Sequence, residues 1–332
     1  MTYDQIMKDL KNKIYKPIYL LMGDESYYID EITNYIIANV LTENEKAFNQ
    51  SILYGNETDV YMVDSAARRF PMMSNYQVVV IKEAQEVKKI DELVYYAQKP
   101  LKSTILVLNF KYKALDKRKK LYKEIDNNGV IFESKKLYDN QVPEWITKYL
   151  DSRNYKIEPI AAQMLNEFLG TELAKIVNEL NKLIIILPEK TLITPAIIEQ
   201  NIGISKDYNN FELQNALSKK DVLKANRIVN YFEKNPKDNP LVVTISSMYS
   251  FFCKVLNYHY LADKSPKNAA SVLQINPFFV KDYEQTSKKY NIKKIVEIIS
   301  ILREYDLKSK GVGNVSATHG DLLREMVFKI LH

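Results

Sequence analysis

The sequence predicts an α/β domain with a parallel sheet at its N-terminal end, then a small helical unit, then an all-α C-terminal domain. Three observations predict it. Residues 17–135 repeat a rhythm of short β-rich run, helical pattern and further β-rich run, which is how a parallel sheet with crossover helices reads. After about residue 140 the strand signal stops. Beyond that point apolar residues fall at helical spacing, most clearly in Leu173, Ile176, Val177, Leu180, Leu183, Ile184 and Leu187.

The strands are expected over 18–22, 50–53, 78–81, 105–108 and 130–132. Most are short and apolar at successive positions, as strands covered on both faces by helices must be, and the chain between them is long enough for crossovers. The helix through Leu173 should stop at Pro188. Gly203 and the polar stretch 205–210 mark a boundary after a helical unit of about 65 residues. Helices are then expected over 211–217, 222–232, 241–261, 269–273, 277–289 and 292–305. A last helix, with Asp321 as its cap, carries Leu322, Leu323, Met326, Val327 and Ile330 on one stripe. The expected domains are 1–140, 141–205 and 206–332.

Composition narrows the function classes. With 46% hydrophobic and 27% charged residues the chain has the balance of a globular protein that folds in water. The N-terminus mixes charge with apolar residues unlike a secretory signal, and no apolar run, the longest being 183–188 and 78–81, approaches the roughly 18 to 20 residues that cross a bilayer. A cytoplasmic protein without a membrane partner is expected. The single cysteine, Cys253, lies in an apolar stretch and reads as a buried thiol. His259, His319 and His332 have no ligand-spaced partners, so neither metal nor other cofactor is expected. A net charge of +6 permits contact with a polyanion without requiring it.

Three segments could carry function. The turn after the first strand reads Gly23, Asp24, Glu25, Ser26, Tyr27, Tyr28, Ile29, Asp30. A phosphate loop needs several glycines and a lysine, whereas this turn has one glycine, three carboxylates and no lysine. It is either a phosphate loop that has lost its ligand or an ordinary strand-to-helix turn capped by Asp24 or Ser26. No catalytic motif occurs elsewhere, so no catalytic residue is expected and a binding protein is favoured over an enzyme. The second segment is Arg68, Arg69, Phe70, Pro71, Met72, Met73, Ser74, in which Pro71 interrupts a helix and opens a short apolar loop. That loop is either a docking wedge, for which methionine is well suited, or a loop packed under the sheet edge. The third, residues 111–123, holds seven basic residues and one acid, with Lys117, Arg118, Lys119 and Lys120 at its centre. It could track a phosphate backbone, with its tyrosines for stacking, or be a solvated face.

Three stretches together resemble the delta-subunit family of the bacterial DNA polymerase III clamp loader: PIYLLMGDESYYIDE, ARRFPMMSNYQVVVIKEAQ, and VPEWITKYLDSRNYKIEPIAAQMLNEFLGTELAKIVNELNKL. The likeness covers about residues 15–215 well and the rest as a helical pattern. It implies an AAA+-like first domain without a working ATP site, a three-helix lid and a helical collar that joins other loader subunits into a ring. It also implies docking on the sliding clamp, the beta subunit, and wedging of its interface for loading onto primed DNA, with nucleotidyl transfer residing in another subunit. The family's paired hydrophobic wedge residues fall at Met72 and Met73, where leucine and phenylalanine are common. The alternatives are a nucleic-acid-binding regulator resting on residues 111–123, and an active P-loop NTPase, which the missing lysine opposes.

Overall fold

Five runs of aliphatic and β-branched residues pair as one parallel sheet in the order β2-β3-β4-β1-β5. They are β1 (Ile18–Gly23), β2 (Gln50–Tyr54), β3 (Gln77–Lys82), β4 (Thr104–Lys111) and β5 (Val130–Ser134). Each expected strand is present, lengthened by one to four residues. The computed structural model describes residues 1–332.

Alternation along the strands explains why they read as apolar throughout. Ile18, Leu20, Met22, Val79, Ile81, Leu106 and Leu108 form one buried face, packed with residues of α4 (Val60–Ala67), α5 (Val94–Ala97) and α6 (Lys120–Asn128). Tyr19, Leu21, Val78, Val80, Ile105, Val107, Val130 and Phe132 form the other, packed with α1 (Tyr3–Lys11) and α2 (Ser26–Asn39). Each such side chain removed from water contributes roughly 1.5–3 kcal/mol, so neither face can be polar without loss. The short helix α3 (Glu43–Asn49) runs directly into the edge strand β2. This α/β unit spans Met1–Leu137.

The second unit, Tyr138–His332, is helical. Its first part holds α7 (Val142–Asp151), α8 (Pro159–Leu169), α9 (Leu173–Ile186) and α10 (Pro195–Ile202), with proline in the first turn of α7, α8 and α10, where no intrahelical N–H is needed. Its second part holds α11 (Asn210–Lys219), α12 (Val222–Lys234), α13 (Leu241–Tyr260), α14 (Pro266–Leu273), α15 (Val280–Lys289), α16 (Ile292–Ser309) and α17 (His319–Leu331). Phe232, Phe252, Tyr290 and Tyr305 lie in one hydrophobic core built from these helices.

Four local expectations are corrected. Helix α1 was not anticipated; Thr2 caps it and Ile6 and Leu10 seat it on the sheet. Strand pairing does not end at 140, because β6 (Lys156–Ile157) and β7 (Leu192–Ile193) pair in parallel across α8 and α9. Such two-residue strands leave no periodicity to detect. The cap of α17 is Thr318, not Asp321: the Thr318 hydroxyl accepts from the Asp321 N–H at 3.2 Å, and the Asp321 carboxylate accepts from the Thr318 N–H at 3.0 Å. Finally, α13 is long and apolar enough to cross a bilayer by length and composition, although its apolar residues form no unbroken run. Leu241, Ile245, Met248, Phe252 and Val255 instead pack into the helical core, and core helices commonly meet the same test.

Candidate functional site

The sharpest surface feature is the loop between α4 and β3. Helix α4 starts at Asp59, whose carboxylate accepts from the Met62 N–H at 2.9 Å, and it ends at Ala67, before Pro71 is reached. The proline therefore does not interrupt the helix. Gln77 and Thr104 end it: the Thr104 hydroxyl donates to the Ala67 carbonyl at 2.8 Å, and the buried Gln77 amide Nε2 lies 3.1 Å from the Ala66 and Ala67 carbonyls and 2.5 Å from that of Arg69. These contacts collect carbonyls that the helix end leaves unpaired. Arg68 is held by Asp64 at 2.8 Å and lies over the Tyr96 ring.

Beyond this anchor the chain turns outward. Phe70 is 77% exposed, Met72 57% and Met73 101%. The alternative of a loop packed under the sheet edge is thus overturned. The backbone that carries these side chains is nonetheless held. Asn49, the last residue of α3 and only 3% exposed, accepts from the Met72 N–H through Oδ1 at 2.7 Å and donates from Nδ2 to the Met72 carbonyl at 2.9 Å. Glu45, one turn earlier, accepts from the Thr42 N–H and from the Thr42 hydroxyl at 2.8 Å each, and these bonds, with a smaller pull from the Ser74 hydroxyl, hold its carboxyl below the ordinary carboxylate range. Met73 follows the tethered Met72 with φ of 51°, a left-handed conformation uncommon for a side chain of this size. Phe48, 62% exposed, precedes Asn49 and adds to the apolar surface. Exposed apolar side chains on a fixed backbone mark a docking surface more often than a packing defect.

The turn after β1 is closed by the protein's own groups. The Gly23 N–H donates to the Lys113 carbonyl at 3.1 Å, and the Asp24 N–H to the Ser134 carbonyl at 3.2 Å. Helix α2 is capped by neither Asp24 nor Ser26. Glu25, 5% exposed, is the cap, its carboxylate accepting from the Tyr27 N–H at 3.0 Å. A phosphate at this helix N-terminus would meet that carboxylate instead of free N–H groups. Ser26 Oγ accepts from the Tyr112 hydroxyl at 3.3 Å, and Lys111 pairs with Asp30 at 2.6 Å.

The basic run 111–123 is largely neutralised in place. Besides Lys111, Lys113 pairs with Glu86 at 2.8 Å, Lys117 with Glu133 at 2.7 Å, Arg118 with Asp116 at 2.6 Å and Lys119 with Asp91 at 2.7 Å. Hydrogen bonds from the Arg118 side chain and backbone pull the Asp116 carboxyl down to about 2. Five of the seven basic side chains thus face carboxylates, and the exposed Lys120 and Lys123 stand outside these pairs. Exposed pairs of this kind contribute little to stability, so they lower the local field without fixing the side chains.

Sequence reasoning found the loop but missed Asn49, Gln77 and Thr104, which shape it. An asparagine closing a helix before a strand is a common junction residue, and nothing in the linear pattern ties it to a backbone 23 positions away.

The family model described as DNA polymerase III, delta subunit matches residues 19–135, and that described as DNA polymerase III delta subunit, C-terminal domain matches residues 207–319. The DNA polymerase III subunit delta of Bacillus subtilis (strain 168) is 26% identical over 325 residues, spanning 93% of this chain and 92% of its own. Among solved structures, the DNA clamp loader delta protein of Bacillus subtilis superposes with a TM-score of 0.55 at 24% identity, covering 99% of each chain. That superposition speaks for the fold.

Proposed function

The chain belongs to the DNA polymerase III delta-subunit family, and from that premise we propose that it docks on the sliding clamp through the 70–73 loop and helps to open it. The family places it in DNA polymerase III clamp loading as an accessory subunit without catalytic activity of its own. The observation that carries the finer reading is the outward display of Phe70, Met72 and Met73 on a backbone tied down at Met72. A preformed apolar projection loses little conformational entropy when it enters a pocket. Methionine also adapts its shape to the pocket it meets, which suits a site where the family often has leucine and phenylalanine.

Opening is differential binding. The loop must fit the open clamp better than the closed one, since equal affinity for both would shift nothing. The subunit does this without hydrolysing ATP: Glu25 occupies the helix end where a phosphate would lie, and the turn carries no lysine. The other clamp-loader subunits supply the nucleotide chemistry and complete a ring with the helical C-terminal region, acting on primed DNA. Contact with DNA through Lys117, Arg118, Lys119 and Lys120 is a secondary feature of this reading, since three of the four would have to give up carboxylate partners.

The test is binding of the full chain to the sliding clamp of the same organism, beside a folded Met72→Ala/Met73→Ala variant. Removing two central apolar anchors is expected to weaken binding by about a hundredfold or more. Equal binding by the variant would move the contact elsewhere, and no binding by the wild type would overturn the docking role.

A further inference from the structure

We infer that Asn49 is a positioning residue for clamp docking, holding the Met72 peptide so that the Met72 and Met73 side chains stay displayed before the clamp arrives; this rests on the docking role proposed above. The geometry is that of a strand pair reproduced by one side chain. The carboxamide of Asn49 offers an acceptor to the Met72 N–H at 2.7 Å and a donor to the Met72 carbonyl at 2.9 Å, so a single residue is gripped at both its backbone polar groups. The same Nδ2 donates to the Glu45 carbonyl at 3.1 Å, which fixes the carboxamide to its own helix.

The support is local. Helix α3 holds Met72 through Asn49, and Met73, the fully exposed residue, follows it directly. A free loop of this composition would fold its apolar side chains back against the surface for part of the time, and its apparent affinity would fall by the fraction of molecules not displaying them. Asn49 itself is buried, so its contribution is to the population of the docking conformation.

The experiment is a double-mutant cycle on the full chain with the sliding clamp, joined to amide hydrogen exchange on the free protein. Asn49→Ala is expected to bind the clamp about tenfold more weakly than wild type. In the Met72→Ala/Met73→Ala background the same substitution should cost nothing further. Exchange at the Met72 N–H should accelerate in Asn49→Ala while the amides of β3 and β4 keep their protection, a readout that general loss of stability would not give. Asn49→Asp, which keeps the acceptor but turns an oxygen toward the Met72 carbonyl, should weaken binding at least as much as alanine. Wild-type affinity in Asn49→Ala, or an equal loss in both backgrounds, would overturn the inference. If the wild type fails to bind while Met72 exchange still accelerates in the variant, the docking role itself has failed and Asn49 merely orders a loop.

Discussion

Single side chains decide the chemistry of the two units. In the helical unit, Glu167 lines a cavity of about 1200 Å³ together with Asp139, Glu144, Lys254, Asp282 and Tyr283. Its Oε2 is buried without a hydrogen-bond partner, and burial pushes its carboxyl from 4.5 up to about 7, against hydrogen bonds from Gln163 and from the Phe211 N–H and with the Asp139 charge adding to the rise. The unfolded chain releases this proton near 4.5 and the folded chain near 7, so the stabilising effect is complete below pH 4.5 and is lost as pH rises through about 7. Glu167→Gln, which has no proton to lose, should match wild type at the acid end. It should exceed it by roughly 1–3 kcal/mol above pH 7. Urea unfolding of both proteins at each end of that window checks this, and a constant difference across it would refute the assignment. In the α/β unit the comparable residue is Gln77, whose amide and the neighbouring Thr104 hydroxyl stop α4 and launch the docking loop.

At the scale of elements, the turn from β1 into α2 shows how one residue type can be required for a reason other than the expected one. Gly23 has φ of 123°, and a Cβ there would lie 2.0 Å from the Ser134 carbonyl oxygen on β5. The glycine therefore serves the close approach of two strands; no phosphate is needed to explain it. Gly23→Ala should destabilise the chain by about 3 kcal/mol or more, since both the backbone conformation and the β1–β5 contact must give. Thermal unfolding that left the variant within 1 kcal/mol of wild type would show that β5 can move freely. The three central strands β1, β3 and β4 were legible because each is an apolar run buried on two faces, and the edge strands β2 and β5 because they stand at the spacing that crossover helices require. Strands β6 and β7 were not, since two residues cannot display a period, and the cap of α17 was misplaced because Thr318 and Asp321 bond reciprocally and either could be read as the cap from sequence.

For the whole molecule, membership of the delta-subunit family and the α/β-then-helical order were both accessible from motifs and periodicity. The nucleotide question belongs at this scale, because binding anywhere on the folded chain would raise its stability. Magnesium–ATP at a hundred times a dissociation constant would add about 2.7 kcal/mol. With Glu25 at the α2 terminus, the melting temperature of the isolated chain is expected to be unchanged by millimolar magnesium–ATP, and a rise of several degrees would show that the chain still binds nucleotide.

The sequence by itself determined the class of each region, since burial on both sheet faces leaves a continuous apolar run and burial on one helical stripe leaves a period of 3.6, and both survive in one dimension. It also placed Met72 and Met73 in a loop before β3. Only the tertiary structure decided whether those side chains face the core or water, which carboxylates neutralise the 111–123 run, and what holds the loop. Those outcomes depend on partners such as Asn49, Glu133 and Asp91, which lie 16 to 28 positions away in the chain and are brought into reach only when the sheet assembles.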